Sequence, residues 1–242
     1  VKRVAIVQAR TGSTRLPEKV LADIHGKSML ARVVERLRAA QRLDEVVVAT
    51  TTLPADDAIA AHCESLGIAC FRGDETDVLD RFWRCATEHH ADVVVRVCAD
   101  CPLIDPGLVD ETLAALEEDD DLDYVALSIP ARTYPLGLDV EAIRASALER
   151  AWHDDDRPDW REHVTPYIYR TPGRFTLRGL KNAEDLSWMR WTVDTPADLE
   201  LIRRIFASFD RGDMSWREVV ERLRANPDWH RINGSVTQRT VS

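Results

Sequence analysis

The sequence predicts an α/β fold in which a mostly parallel sheet is flanked by helices and carries its functional groups along one rim. Three observations lead there. First, the runs 4–7, 46–49, 68–71 and 93–97 are short, aliphatic and rich in β-branched residues, as strands buried on both faces are. Second, segments with helical apolar spacing separate these runs, so strand and helix alternate as in a doubly wound sheet. Third, polar groups suited to phosphate or a cation follow directly on the strands, at the edge where open parallel sheets bind ligands.

The bulk numbers narrow the choice. A chain of 242 residues, 45% hydrophobic and 31% charged, suits one domain, 1–242, with no disorder signature. A net charge of −10 argues against nucleic acid or an anionic membrane as partner. No apolar run reaches membrane-spanning length and no secretory segment opens the chain, so the expected location is cytoplasmic. Five cysteines form no regular framework, and free thiols are expected, including in Cys98-Ala-Asp-Cys101, which lacks the second pair of a zinc site.

The elements follow in order. Leu30, Val33, Val34 and Leu37 mark a helix over 28–41. After the second strand, Pro54-Ala55-Asp56-Asp57 starts a helix with Ile59, Cys63 and Leu66 inward, stopped by Gly67. Arg72-Gly73-Asp74 reads as a turn, and Asp77 or a neighbour as the cap of a helix carrying Val78, Leu79, Phe82, Trp83 and Ala86. Asp105-Pro106 starts the next helix, which ends in a solvated acidic turn, Glu117–Asp121. Residues 124–180 change character: five prolines, strand candidates at 124–128, 139–143 and 175–180, and helices near 146–153 and 161–170 suggest a smaller acceptor or dimerisation subdomain. Met189–Asp194 reads as a strand, Thr195-Pro196 starts a helix, and another covers about 215–225. The segment 207–242 is thus a C-terminal helix and a tail packed on the surface.

The stretch Val4–Leu21 carries the chemistry. Its strand runs into a loop with Gly12, Ser13, Thr14, two arginines and Lys19, the donors a polyphosphate needs. It is neither a Walker A loop nor a G-x-G-x-x-G fingerprint. Two further strands end in aspartates, Asp100 and Asp194. Hard oxygens on separate strands suit Mg²⁺ shared with phosphates, but an aspartate there can equally cap the following helix.

In Gln8-Ala9-Arg10-x-Gly12-Ser13-x-Arg15-Leu16-Pro17-x-Lys19, Val48-Ala49-Thr50-Thr51, Ala99-Asp100-x-Pro102-Leu103-Ile104 and Trp191-Thr192-Val193-Asp194-Thr195-Pro196-x-Asp198, the chain resembles the acylneuraminate / 3-deoxy-manno-octulosonate cytidylyltransferase family. The blocks Arg132-Thr133-x-Pro135-x-Gly137-Leu138-Asp139-Val140-Glu141 and Arg161-Glu162-His163-Val164-Thr165-Pro166-Tyr167 resemble in particular the branch named for spore coat polysaccharide biosynthesis protein F. The resemblance implies a glycosyltransferase-A-like (Rossmann-like) fold, a homodimer, and transfer of CMP from CTP to a sugar acid or related acceptor, releasing pyrophosphate.

By position, the resemblance implies that Arg10, Ser13, Arg15 and Lys19 hold the triphosphate, with the amides of Ala9 and Gly12. Thr50 and Thr51 would lie near the base, and Arg72, Asp80 and Arg81 near ribose or base. Asp100 and Asp194 would bind Mg²⁺, with Ala99 standing where the family block has glycine. Lys19, Arg10, Arg15 and Asp100 form the catalytic set. Glu141, Arg161, Glu162 and His163 are the acceptor-side candidates; Arg161 and Glu162 could instead form a surface pair. A glycosyltransferase on a similar fold would need a D-x-D motif at a strand end, whereas such motifs occur here only in or beside acidic turns. A noncatalytic nucleotide-binding module is disfavoured by the presence of Lys19, Asp100 and Asp194 together.

Overall fold

The computed structural model describes residues 1–238. Its strands are β1 (Arg3–Gln8), β2 (Asp23–Ile24), β3 (Lys27–Ser28), β4 (Glu45–Thr51), β5 (Ala69–Gly73), β6 (Val93–Cys98), β7 (Tyr124–Ala126), β8 (Glu141–Arg144) and β9 (Leu177–Gly179). The helices are α1 (Met29–Arg38), α2 (Asp57–Ser65), α3 (Val78–Glu88), α4 (Pro106–Glu117), α5 (Ala145–Asp154), α6 (Pro158–His163), α7 (Pro166–Arg170), α8 (Pro196–Ala207), α9 (Trp216–Ala225) and α10 (His230–Asn233).

Seven strands form one sheet in the order β5-β4-β1-β6-β8-β7-β9. Pairing is parallel through β5, β4, β1 and β6. Only β8 runs against its neighbours, and β9 pairs parallel to β7. The pleat of β1 explains why its residues are apolar without alternation: Ala5 and Val7 enter the core beneath α1, α4 and α8, while Val4 and Ile6 enter the one beneath α3, α5 and α7. Registers of Gln8 with Ala49 and Cys98, and of Thr50 with Arg72, bring the strands out at one rim.

Local differences from the expected elements have identifiable causes. Residues 124–180 add β7, β8 and β9 to the same sheet rather than forming a second one. The helix expected over 161–170 is two, because Val164 takes φ 70 and Pro166 brings no N–H to continue the first. Arg72 and Gly73 complete β5 instead of a turn. Met189–Asp194 is not a ladder strand: its one bridge joins Arg190 to Leu136. On one side Trp191 and Thr192 donate to Leu136 O, and on the other Val193 donates to Asp100 O, so two loops share it. Gly137 makes this approach possible, since at φ +107 a Cβ would lie 2.5 Å from Thr192 N. Residues 239–242 of the expected tail lie outside the described residues; the part described includes α10, which packs against α8.

Candidate active site

The loop after β1 is fixed from behind by a residue that the sequence presents merely as part of a helix start. Asp56, only 2% exposed, accepts from Thr11 N and Thr11 Oγ1, each at 2.7 Å, and closely from Thr51 Oγ1. Burial penalises its charge, but these donors carry its pKa below the ordinary aspartate value. One carboxylate thus ties the phosphate-type loop to the end of β4. Within the loop, Ser13 N and Glu18 N both donate to Thr11 O, and Glu18 adopts φ 54 to turn the chain into a short helix over Lys19–Leu21.

That turn buries Lys19. Its Nζ donates to Asp100 Oδ2 at 2.8 Å, Val193 O at 2.8 Å and Asp194 Oδ1 at 2.7 Å, so all three ammonium protons are used. Burial disfavours the charge, yet Asp100 and Asp194 outweigh it and raise the Lys19 pKa. Burial likewise opposes the Asp194 charge, but Lys19, Arg190 and Arg15 hold its pKa below the usual carboxylate value. Neither Asp100 nor Asp194 caps a helix: Asp105 caps α4 and Thr195 caps α8.

The described oxygens around Lys19 Nζ, two carboxylates and a carbonyl, are the hard donors that Mg²⁺ prefers. Among the described residues no cluster of three or more His, Cys, Asp or Glu could hold a metal, so phosphate or water must complete any such coordination. The donor chemistry fits Mg²⁺ on those terms.

Arg10, Gly12, Ser13, Arg15, Lys19, Asp100 and Asp194 line one polar cleft of about 300 Å³. Arg15 reaches Asp194 at 3.1 Å, and Arg10 is 42% exposed, 3.5 Å from Glu162. The Ala9 amide does not face the cleft; it donates to Ala49 O and extends the sheet by a rung. The base-side candidates lie behind the rim. Thr50 and Thr51 are buried, and Arg72 donates to Thr51 O and Leu53 O and pairs with Asp57. Arg81 is fully buried; desolvation, with Arg10 nearby, lowers its pKa to about 10. Asp80 accepts from Trp152 Nε1 and pairs with Arg84.

A larger cavity of about 990 Å³ adjoins the cleft and shares Arg10, Arg15, Asp100 and Asp194 with it. Glu141 and His163 line it, as do Arg96, Arg132, Asp139 and Tyr169. Glu141 holds Arg96 and accepts from Tyr124 OH at 2.9 Å. Burial, reinforced by Arg96 and Arg10 against the opposing pull of Glu162, pushes the His163 pKa below the usual histidine value. Arg161 is placed elsewhere, bonded to Asp77, Trp152 O and Asp155 O; its ion pair is with Asp77, while Glu162 faces Arg10. Arg96 hid inside an apolar run and Arg132 inside a proline-rich stretch, whereas Arg190 and Asp198 flank Asp194 at four residues on either side, a signal within reach of the sequence. Cys98 stays a thiol, its pKa pushed up to about 12 by burial.

Comparison with known proteins agrees with this fold. A family model described as cytidylyltransferase matches residues 4–224. An uncharacterised protein of Methanocaldococcus jannaschii is 38% identical over 99% of this chain and 98% of its own length. The spore coat polysaccharide biosynthesis protein SpsF of Bacillus subtilis is 34% identical over 92% of this chain and 94% of its own. The solved structure of a cytidylyltransferase from Leptospira borgpetersenii superposes with a TM-score of 0.91, at 30% identity and 99% coverage of both chains.

Proposed function

Because the chain belongs to the cytidylyltransferase family, we propose that it transfers CMP from CTP to a sugar acid or related acceptor for surface-glycan synthesis, releasing pyrophosphate. One observation carries the site assignment: Lys19 joins Asp100 and Asp194 at the floor of a cleft walled by the cationic loop.

Arg10, Ser13 and Arg15 bind the triphosphate, Lys19 joins them by turning an ammonium proton from the rim oxygens to a phosphate, and the larger cavity receives the acceptor. An acceptor hydroxyl attacks the α-phosphorus, the α–β phosphoanhydride bond breaks, and the hydroxyl proton passes to solvent. Catalysis is positioning plus charge stabilisation: Lys19, Arg10 and Arg15 meet the negative charge that grows on the departing pyrophosphate. Asp100 and Asp194 are the residues to hold Mg²⁺, which supplies charge neutralisation at the reacting phosphate. Arg96 and Arg132 are each neutralised by a carboxylate, so the acceptor meets paired charges rather than a bare cationic wall. Glu141 and His163 lie on that wall; Glu162 reaches it through Arg10.

The protein works as a cytoplasmic homodimer on small-molecule substrates, without nucleic acid or membrane. No helix among the described residues is long and apolar enough to cross a membrane, and the net charge of −10 supports the same reading. Light scattering behind size exclusion tests the dimer.

The activity is tested by pyrophosphate release, crossing the four nucleoside triphosphates with sugar acids, sugar phosphates and phosphonates in Mg²⁺. Release with CTP and a sugar acid is expected. Turnover with another nucleotide alone overturns the base assignment, and CTP binding without turnover against any acceptor favours a noncatalytic module.

A further inference from the structure

We propose that Arg190 and Asn233 are positioning residues through which the C-terminal segment aims Asp194 at the cation point of the cleft; the proposal rests on the cytidylyltransferase reading above. Asp194 has its two oxygens divided between different partners. Oδ1 faces Lys19 at 2.7 Å, while Oδ2 is held by Arg190 at 2.8 Å and by Arg15 at 3.1 Å. With Oδ2 anchored, the carboxylate cannot turn, and Oδ1 stays directed at the point that Asp100 Oδ2 and Val193 O also face.

Arg190 is itself immobilised. Its Nε donates to Asp198 Oδ1 at 2.8 Å, one terminal nitrogen is shared between Asp194 Oδ2 and Asp198 Oδ2, and the other meets Gln238 Oε1. A guanidinium can do this because its donors lie in a fixed planar fork; an ammonium has no such geometry. Asp198, fully buried, also accepts from Asp194 N and Thr195 N at 3.0 Å each, so side chain and backbone of the Asp194 turn hang from the same carboxylate.

Asn233 closes the assembly from a distant part of the chain. It is 4% exposed, and its Nδ2 donates to Asp198 Oδ1 at 2.9 Å and to Arg190 O at 3.0 Å. Both members of the Arg190–Asp198 pair are therefore held by one amide from α10. Apart from these hydrogen bonds, the Trp188 ring lies 4.7 Å from that of His230, a ring contact on the same segment. Partners that orient metal-ligating carboxylates typically change metal affinity or activity by roughly 10–100-fold when removed.

The test uses the full chain with three substitutions. Asn233→Ala and Arg190→Lys loosen the network, and Trp188→Ala loosens the segment from outside. Mn²⁺ affinity in the presence of CTP, read by electron paramagnetic resonance, and the Mg²⁺ dependence of turnover are measured beside thermal midpoints. Asn233→Ala is expected to weaken Mn²⁺ binding and raise half-saturating Mg²⁺ by about tenfold, with KM for the acceptor unchanged. Arg190→Lys moves the same way and supplies the test if Asn233→Ala does not fold. Trp188→Ala lowers the thermal midpoint but leaves the metal dependence of the wild type. Equal Mn²⁺ affinity in Asn233→Ala and wild type overturns the proposal, as does an equal loss in Trp188→Ala. A wild type that binds Mn²⁺ with CTP yet turns over no acceptor counts against the cytidylyltransferase reading and leaves the binding comparison intact.

Discussion

The two halves of the sheet solve different problems. From β5 to β6 the strands are five to seven residues long and parallel; β1, β4 and β6 are buried mainly by aliphatic side chains, β5 is half-buried, and Arg96 of β6 carries charge into the interior at the seam with β8. Further charge gathers beyond the strand ends, where the loop, Lys19 and Asp100 meet. From β8 to β9 the strands are three or four residues long, and their junction with β6 is stitched by the Arg96–Glu141–Tyr124 network. An apolar half can present a rigid rim to a ligand that is always the same. A half held by paired charges leaves polar atoms facing a cavity, where small substitutions can alter what is admitted. Under the proposed function, the contrast separates, in one sheet, the nucleotide side from the acceptor side.

The largest expected effect breaks function without breaking the sheet. Lys19→Ala removes a group that touches both rim aspartates. Pyrophosphate release should fall by about 10³-fold, roughly 4 kcal/mol of barrier, with the circular dichroism spectrum of the wild type. Turnover within tenfold of wild type would remove Lys19 from the catalytic set.

The converse belongs to the other half. Glu141→Ala leaves the Arg96 guanidinium in the interior without its carboxylate, both side chains being largely buried. Stripping one member from such a pair costs about 3–5 kcal/mol, read from urea denaturation. Burial opposes the Arg96 charge, and in the wild type Glu141 leads the groups that outweigh it and raise the pKa, so the variant loses the main compensation for burying that charge. A loss below 1 kcal/mol would mean that Gln8 and solvent already satisfy Arg96.

A smaller effect falls on the loop's rear attachment. Asp56→Asn keeps one acceptor oxygen but sets an amide donor against Thr11 or Thr51. With the loop less firmly held, KM for CTP should rise by about tenfold while kcat changes little, as expected when uniform binding is lost. An unchanged KM would show that the loop keeps its conformation without Asp56.

How far the sequence alone could reach follows the same division. The four parallel strands were legible because burial on both faces leaves no alternative to an aliphatic run, and the cleft was legible because Arg10, Ser13, Arg15 and Lys19 sit within ten residues. Asp100 and Asp194 were legible only as strand-end carboxylates; that Lys19 joins them depends on a backbone turn at Glu18 that no pattern announces. Trp191-Thr192-Val193 has strand composition, but its neighbours are loops, and composition carries no information about who pairs with whom. Asp56 resembles an ordinary helix-start residue and Asn233 an ordinary tail residue. Their significance lies largely in partners such as Thr11 and Asp198, 45 and 35 positions away.

A comparably small effect concerns Asp198, where acid should undo the tie between α8 and the Asp194 turn. Burial opposes the Asp198 charge, but Arg190, Asn233 and the Asp194 amide outweigh it and lower the folded pKa below the ordinary 3.8. The unfolded chain therefore takes up the proton first. The stabilisation is complete above the unfolded value and drains away as pH falls through the folded one. Asp198→Asn lacks the ionisation and turns an amide toward donors, so it should be less stable at neutral pH by on the order of 1–3 kcal/mol. Measured by urea denaturation between pH 3 and 7, the gap between wild type and variant should hold constant down to about pH 4 and narrow below it. A gap that is flat down to pH 3 would mean that the carboxylate's contribution is geometric rather than ionic. The Asp194 turn would then be held by the shape of its hydrogen bonds, as the apolar half of the sheet holds its rim by packing.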